Sequence, residues 1–396
     1  MKTTEYKDSE VGRIPADWEV AQLKDLTDII TGATPSTSIN EYWNGDIPWM
    51  SSGELNMKLV RSVYGRITQK GYDSCGTHMI PPLCVLIGLA GQGKTRGTAA
   101  INYISLCTNQ SIASILPSSY FDSFFLFYWL DNQYYNLRML SAGDGGRGGL
   151  NKQLLLNLWV PLPPLKEQNA IANSLSSIDS LISSLDELIE KKRMIKDGLM
   201  QELLTGKKRL ARFNGEWKQI TLGEYCSIVM GQSPSSTFYN QNGVGLPLIQ
   251  GNSDFENRKS IIRTYTSYIT KTCNQNDTIM SVRAPVGAVG KASSDSCLGR
   301  GVCAFRTDTD FLFYYMQYNE DKWGQFSKGS TFDSINRDDL CSVIISVPPS
   351  KKEESAICDI LSSFDKDIEQ AISQRDKYLL IKQGMMQQLL TGKTRL

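Results

Sequence analysis

From Leu165 to Leu204 the chain carries neither proline nor a helix-breaking cluster. Its apolar residues there fall at Ile171, Leu175, Ile178, Ile182, Leu185 and Ile189, alternating steps of four and three. That is heptad spacing, which predicts a long amphipathic helix with one apolar seam. Thr205-Gly206 supplies the stop, with glycine where a C-terminal cap wants it. A second stretch, about 350–390, shows Ile357, Leu361, Phe364, Ile368 and Ala371, then Tyr378, Met385 and Leu389. At 1.5 Å rise per residue each helix would be a rod of about 60 Å. A lone helix of that length would expose its stripe. The two are therefore expected to pair within the chain as an antiparallel coiled coil, with Leu175, Ile178, Ile182, Leu185, Ile189, Leu361, Phe364 and Ile368 in the seam. Dimerisation between chains through either helix is the alternative.

Elsewhere the pattern changes to short apolar runs punctuated by Gly, Pro, Ser and Asn. Val85-Leu86-Ile87, Ser111 to Leu116 and Val343 to Val347 read as buried strands. The aromatic segments starting at Phe124 and Phe311 predict helices packed on a sheet. The expectation is a mixed α+β chain: a globular α/β domain at 1–162, a long helix at 163–210, a second globular domain at 211–347 and a second long helix at 348–396.

This order is a duplication. Leu203-Leu204-Thr205-Gly206-Lys207-Lys208-Arg209-Leu210 returns 186 residues later as Leu389-Leu390-Thr391-Gly392-Lys393-Thr394-Arg395-Leu396. Phe125-Leu126-Phe127-Tyr128 returns at the same offset as Phe311-Leu312-Phe313-Tyr314, and Gly143 as Gly329. Nearer each copy's start the offset is 199: Trp18 matches Trp217, Gly32 matches Gly231, and Pro35-Ser36 matches Pro234-Ser235. Two similar halves related by a pseudo-twofold are expected, as in a protein that grips something at two places. A shared frame around divergent middles suggests one scaffold presenting two surfaces.

At 396 residues the chain is too long for one compact core. Its start lacks an apolar stretch of signal-peptide length. The most apolar window, Phe121 to Leu140, carries Asp122, Asp131 and Arg138, so a membrane span is not expected. Nine cysteines without a Cys-x-x-Cys pair suggest free thiols in a reducing cytoplasm. A net charge of +1 neither demands nor excludes nucleic acid. Gly88-Leu89-Ala90-Gly91-Gln92-Gly93-Lys94-Thr95 matches a nucleotide phosphate-binding pattern after an apolar strand. The segment that follows, Arg96-Gly97-Thr98-Ala99-Ala100-Ile101, suits a turn and returning strand better than the helix such a loop needs. Its counterpart, Arg283-Ala284-Pro285-Val286-Gly287-Ala288-Val289-Gly290-Lys291, keeps the strand, turn and Gly-Lys but loses the pattern. The shared feature is a tight turn carrying a lysine. With His78 the sole histidine and no methyl-transfer or dinucleotide motif, the chain reads as a binder without its own cofactor, metal or catalysis.

Ile14-Pro15-Ala16-Asp17-Trp18 followed by Leu23 pairs with Gly215-Glu216-Trp217 followed by Leu222-Gly223. Thr31-Gly32-Ala33-Thr34-Pro35-Ser36 pairs with Met230-Gly231-Gln232-Ser233-Pro234-Ser235. Pro161-Leu162-Pro163-Pro164-Leu165-Lys166-Glu167-Gln168 opens the first helix and Leu204-Thr205-Gly206-Lys207 closes it. In this order, over essentially the whole chain, these motifs resemble the specificity subunits of type I restriction–modification systems. The second helix departs by opening with Pro349-Ser350-Lys351-Lys352-Glu353-Glu354. The resemblance implies two target-recognition domains, each reading half of a bipartite double-stranded DNA sequence. It also implies helices that act as a ruler and a dock for two modification (methyltransferase) subunits, joined by restriction subunits. Candidate DNA contacts are Gln92, Lys94, Arg96 and Arg147 in the first copy and Gln250, Asn252, Arg283, Lys291 and Lys328 in the second. These residue types supply the cations and amide groups that phosphates and base edges require. The competing classes are an NTPase using Gly88 to Thr95, and a coiled-coil adaptor with protein- or glycan-binding domains.

Overall fold

The computed structural model describes residues 5–91, 93–140, 149–323 and 334–396. It divides into two compact units, Met1–Ser184 with Gln374–Leu396, and Leu185–Ser373. Both division points fall inside the long helices, Leu165–Leu203 and Lys351–Leu389, each of 39 residues.

The first unit is organised by a five-stranded sheet in the order Ile29–Thr31, Ile112–Ile115, Val85–Gly88, Ala99–Asn102, Leu59–Val60. The three central strands are buried along their whole length, so they read as short apolar runs. Strand alternation then sorts their side chains between two cores. Val85, Ile87, Ala99, Ile101, Ala113 and Ile115 join the aromatic helix Ser123–Asn132 on one face. Leu86, Ala100 and Ile112 meet Met50, Leu55 and Val60 on the other. Asp122 caps that aromatic helix, accepting from Phe125 N at 2.8 Å. A smaller three-stranded sheet holds Trp43–Met50 between Cys107–Thr108 and Gly65–Ile67.

The second unit repeats the plan. Its six-stranded sheet runs Ser227–Met230, Val302–Arg306, Thr278–Ser281, Val289–Lys291, Lys259–Ser260, Phe255–Glu256. Met280, Val282, Val289, Cys303 and Phe305 face the helix Phe311–Tyr318, while Ile279, Val302 and Ala304 turn to the opposite core. The duplication predicted at the two aromatic segments is therefore a duplication of architecture.

Within each unit a stretch of one long helix packs on a stretch of the other, in opposite directions. In the first unit Ile171, Ala172 and Leu175 share a core with Met386, Leu389 and Leu390. In the second, Met200, Leu203 and Leu204 share one with Ile357, Cys358 and Leu361, and Ile189 packs on Ile368 and Ala371. Leu175, Ile178, Ile182, Leu185, Ile189, Leu361 and Ile368 of the expected seam are buried, and Phe364 is half-buried.

Each long helix ends at a left-handed glycine, Gly206 (φ 69°) and Gly392 (φ 68°). A Cβ at Gly392 would fall 2.4 Å from the Pro15 ring and 3.1 Å from Trp18; at Gly206 it would fall 3.1 Å from Trp217. The repeated octamer is thus a docking cap for the repeated tryptophan. An arginine completes each dock. Arg395 donates to Glu167 at 2.6 and 2.8 Å, and Arg209 donates to Glu353 at the same two distances. Glu353 therefore stands in the second copy where Glu167 stands in the first, despite the altered wording of that helix opening. Its neighbour Glu354, in the place of Gln168, is buried with Tyr225, Thr309 and Lys351 donating to its carboxylate. Those three donors make a buried charge tolerable.

Candidate nucleic-acid interface

The Gly88–Thr95 segment leads from the strand Val85–Gly88 through a turn into the antiparallel neighbour Ala99–Asn102. No helix follows. The carbonyls of the turn are occupied instead: that of Lys94 accepts from Thr98 Oγ1 at 2.7 Å and Tyr134 OH at 3.1 Å, and those of Gly93 and Arg96 accept from Arg138 at 2.8 and 3.1 Å. A phosphate loop needs amides converging at a helix start. This turn is held from behind by its carbonyls, which is not the arrangement of a nucleotide loop. The arrangement leaves the Lys94 side chain exposed at the turn, with Arg96 half-buried behind it.

In the second unit the corresponding strands are Thr278–Ser281 and Val289–Lys291, again antiparallel. Arg283 is exposed on the turn between them. Lys291 is not its equivalent partner at the tip. It lies on the returning strand, pairs with Asp310, donates to Asn276 O at 3.0 Å and stands 5.0 Å over the Phe313 ring. Its charge is spent inside the domain, which leaves Arg283 as the cation this turn presents. Gln250 and Asn252 are exposed on the loop after Leu246–Ile249, which Asp254 organises by accepting from Gln250 N at 2.7 Å and Gly251 N at 3.3 Å. Gln92, Arg147 and Lys328 lie outside the described residues.

Backbone hydrogen bonds gather these pieces at one end of each main sheet. In the second unit Val282 N donates to Gly301 O at 2.9 Å and Gly299 N to Ile249 O at 2.7 Å. The Arg283 turn, the Gln250 loop and the turn 299–301 therefore emerge together. In the first unit Leu89 N donates to Ser111 O at 2.8 Å and Asn109 N to Met50 O at 3.0 Å, which places the turn 109–111 beside the Lys94 turn. The sequence offered Arg300 as one cation among many in the second copy, but it did not single out the turns 109–111 and 299–301. No periodicity marks them, and only strand pairing brings them next to the lysine- and arginine-bearing turns.

A second constellation was also missed, although the offset of 186 could have exposed it. Tyr128 OH donates to Asp179 at 2.8 Å, and Lys382 pairs with Asp179 at 2.6 Å while standing 5.5 Å over the Tyr128 ring. In the other unit Tyr314 donates to Asp365 at 2.8 Å, with Lys196 paired to Asp365 and over the Tyr314 ring. Each set ties an aromatic helix to both long-helix segments of its own unit. Burial, reinforced by the neighbouring aspartate, pushes both phenols well above their ordinary range, so they act as fixed hydrogen-bond donors.

All nine cysteines are free thiols, and burial pushes those of Cys84, Cys226, Cys273 and Cys358 up to about 12 and that of Cys107 to about 11. Among the described residues no cluster of His, Cys, Asp or Glu is arranged to hold a metal, and no helix is long and apolar enough to cross a membrane.

The sequence profile of a family described as type I restriction modification DNA specificity domain matches residues 15–192 and 214–375. The chain is 30% identical over 419 aligned positions to a Methanocaldococcus jannaschii protein named as the MjaX type I restriction enzyme specificity subunit, covering 100% of this chain and 97% of that one. It is 24% identical to the MjaVIII specificity subunit of the same organism, with the same coverage of both chains. Among solved structures, the S subunit of a type I restriction–modification system from M. genitalium superposes with a TM-score of 0.63 at 17% identity, covering 94% of this chain and 96% of that one. A chain from a structure of type I system assembly and conformational transition superposes with a TM-score of 0.58 at 22% identity, covering 96% and 99%.

Proposed function

This chain belongs to the type I restriction–modification DNA specificity family, and from that premise we propose that it reads a bipartite double-stranded DNA target and directs other subunits to it. Each globular domain (1–162 and 211–347) reads one half of the target. The helical segments 163–210 and 348–396 pair as one antiparallel coiled coil, set the spacing and dock two methyltransferase subunits, which restriction subunits join. The chain itself performs no chemistry and works in the cytoplasm. The observation that carries this reading is one scaffold built twice, with a different set of exposed amide and cationic side chains at the same sheet end: Lys94 in the first copy, Gln250, Asn252 and Arg283 in the second. A single reading surface would not need the frame twice.

The test is to sequence the methylated bases in a host that carries this chain with its modification partner. A two-part motif is expected. Exchanging residues 225–345 for the matching region of a relative should change only one half of that motif and keep the other half and the spacer. If the exchange alters both halves together, the two domains form one composite surface and the reading fails. Retention of duplex DNA by the complex should fall steeply with salt, because phosphate contacts release counterions; salt-indifferent behaviour would favour a protein- or glycan-binding adaptor.

A further inference from the structure

The turns 109–111 and 299–301 are the same device in the two units. Ile112 N donates to Asn109 O and Val302 N to Gly299 O, both at 3.2 Å, so Gln110 and Arg300 occupy the same tip position. Each turn is pressed against the repeated Gly-containing motif. A Cβ at Gly32 would fall 1.8 Å from Thr108 O, and one at Gly231 would fall 2.1 Å from Gly299 O. Only glycine permits either approach. The next hydroxyl of the motif then holds the tip: Thr34 Oγ1 donates to Gln110 Oε1 at 2.5 Å, while Ser233 Oγ accepts from Arg300 N at 3.0 Å. Thr34 and Ser233 correspond at the same offset of 199 as Gly32 and Gly231. The frame is shared, and the tip side chain is what differs.

Both tips point their chemistry outward. Gln110 and Arg300 are exposed, and among the described residues no hydrogen bond or ion pair engages the Arg300 guanidinium. Arg300 is also flanked by Gly299 and Gly301, which the backbone of Gln250 crowds: a Cβ at Gly301 would fall 2.1 Å from Gln250 O. The turn is thus stripped to a single functional side chain, next to Gln250 and the Arg283 turn. A structural arginine would have a partner, and a solubilising one would not need a glycine-lined seat.

We propose that Gln110 and Arg300 are specificity-determining residues, Arg300 reading a guanine in the half-site of the second domain and Gln110 an adenine in that of the first. The inference rests on the DNA-reading function proposed above. Arginine offers two parallel donors to guanine O6 and N7. Glutamine pairs its carbonyl with adenine N6 and its amide with N7. Thr34 occupies one lone pair of Gln110 Oε1, which fixes the amide plane and leaves the second lone pair and both amide protons for the base.

The experiment uses the chain assembled with its modification subunit. The wild-type methylated motif is determined first. Equilibrium competition is then measured on duplexes in which each base pair of that motif is changed singly. For R300Q, preference at one G·C pair of one half-site should fall roughly ten- to a hundred-fold, with all other positions unchanged. Q110A should do the same at one A·T pair of the other half-site. R300K should keep most affinity but lose discrimination at that single pair, because an ammonium lacks the fork. Uniform weakening on every duplex would mark a phosphate contact and overturn the proposal, as would unchanged preference at every position. If the wild-type complex itself shows no two-part motif, it is the DNA-reading function that fails instead.

Discussion

In the first unit Arg395 meets two carboxylates; in the second Arg209 meets one. Arg395 binds both oxygens of Glu167 and both of Asp17, at 2.6 to 2.9 Å, and Trp18 Nε1 adds a 3.1 Å hydrogen bond to Glu167. Arg209 binds Glu353 and, in place of a second acid, the Gly215 carbonyl at 2.6 Å. Trp217 Nε1 is buried without a hydrogen-bond partner among the described residues. The difference follows chain connectivity. Gly206 is 11 residues from the tryptophan it covers, whereas Gly392 is 374 residues from Trp18. Loop-closure scaling makes the long closure about 3 kcal/mol more costly for a bare chain. The tail that must find its dock across the whole sequence carries the denser lock. The one that arrives through its own linker makes do with less.

The strongest way to probe what the units share is to charge their seams. Leu175→Asp and Leu361→Asp place a carboxylate at equivalent, fully buried positions. Each should destabilise its own unit by on the order of 4 kcal/mol, since no partner is at hand for the buried charge. Domain-resolved hydrogen exchange checks this. Unequal losses would mean that the two seams are not equivalent.

A smaller effect separates the locks. Arg209→Ala strands Glu353, which is fully buried, and Arg395→Ala strands Glu167 with only the Trp18 N–H left. Because both arginines are about a quarter exposed, a loss of about 2–4 kcal/mol is expected for each. Only Arg395→Ala should also release its octamer, seen as fast amide exchange over residues 389–396. Comparable release of 203–210 in Arg209→Ala would remove the connectivity argument.

The smallest effect is a pH dependence confined to the first unit. The hydrogen bonds from Arg395 hold the Asp17 carboxyl below its ordinary value, with the guanidinium charge adding to the same effect. A lowered folded-state pKa stabilises above the unfolded value and is lost as pH falls through the folded one. The Asp17 side chain is 55% exposed, so the contribution is a few tenths of a kcal/mol. The gap in Tm between wild type and D17N should therefore be constant near neutrality and close below about pH 4. A gap that widens on acidification would show that Asp17 is not held by Arg395.

Much of the architecture was legible because its signals are local. Heptad spacing located both long helices to within a residue or two of Leu165–Leu203 and Lys351–Leu389. Three apolar runs marked the strands Val85–Gly88, Ile112–Ile115 and Ile344–Val347, and duplication announced two copies of one plan. The surroundings of the candidate contacts were legible only in part. Lys94 and Arg283 are exposed as expected, because a turn between two strands exposes whatever it carries. Lys291 could not be told from them, since its partner Asp310 lies 19 residues away and no pattern links the two.

What the sequence determined by itself, then, is part of the inventory: the two long helices, the two aromatic helices, three of the strands, and that one plan occurs twice. Periodicity and propensity act over a few residues, and an offset between copies needs no folding to be seen. Tertiary structure alone decided the partners. It chose which octamer covers which tryptophan, paired Tyr128 and Asp179 with Lys382, and brought the tips Gln110 and Arg300 beside the turns of Lys94 and Arg283. Those choices depend on strand register, helix direction and the burial of charges across hundreds of residues. They are settled by packing and by the cost of leaving a charge or amide unpaired, not by any local signal along the chain.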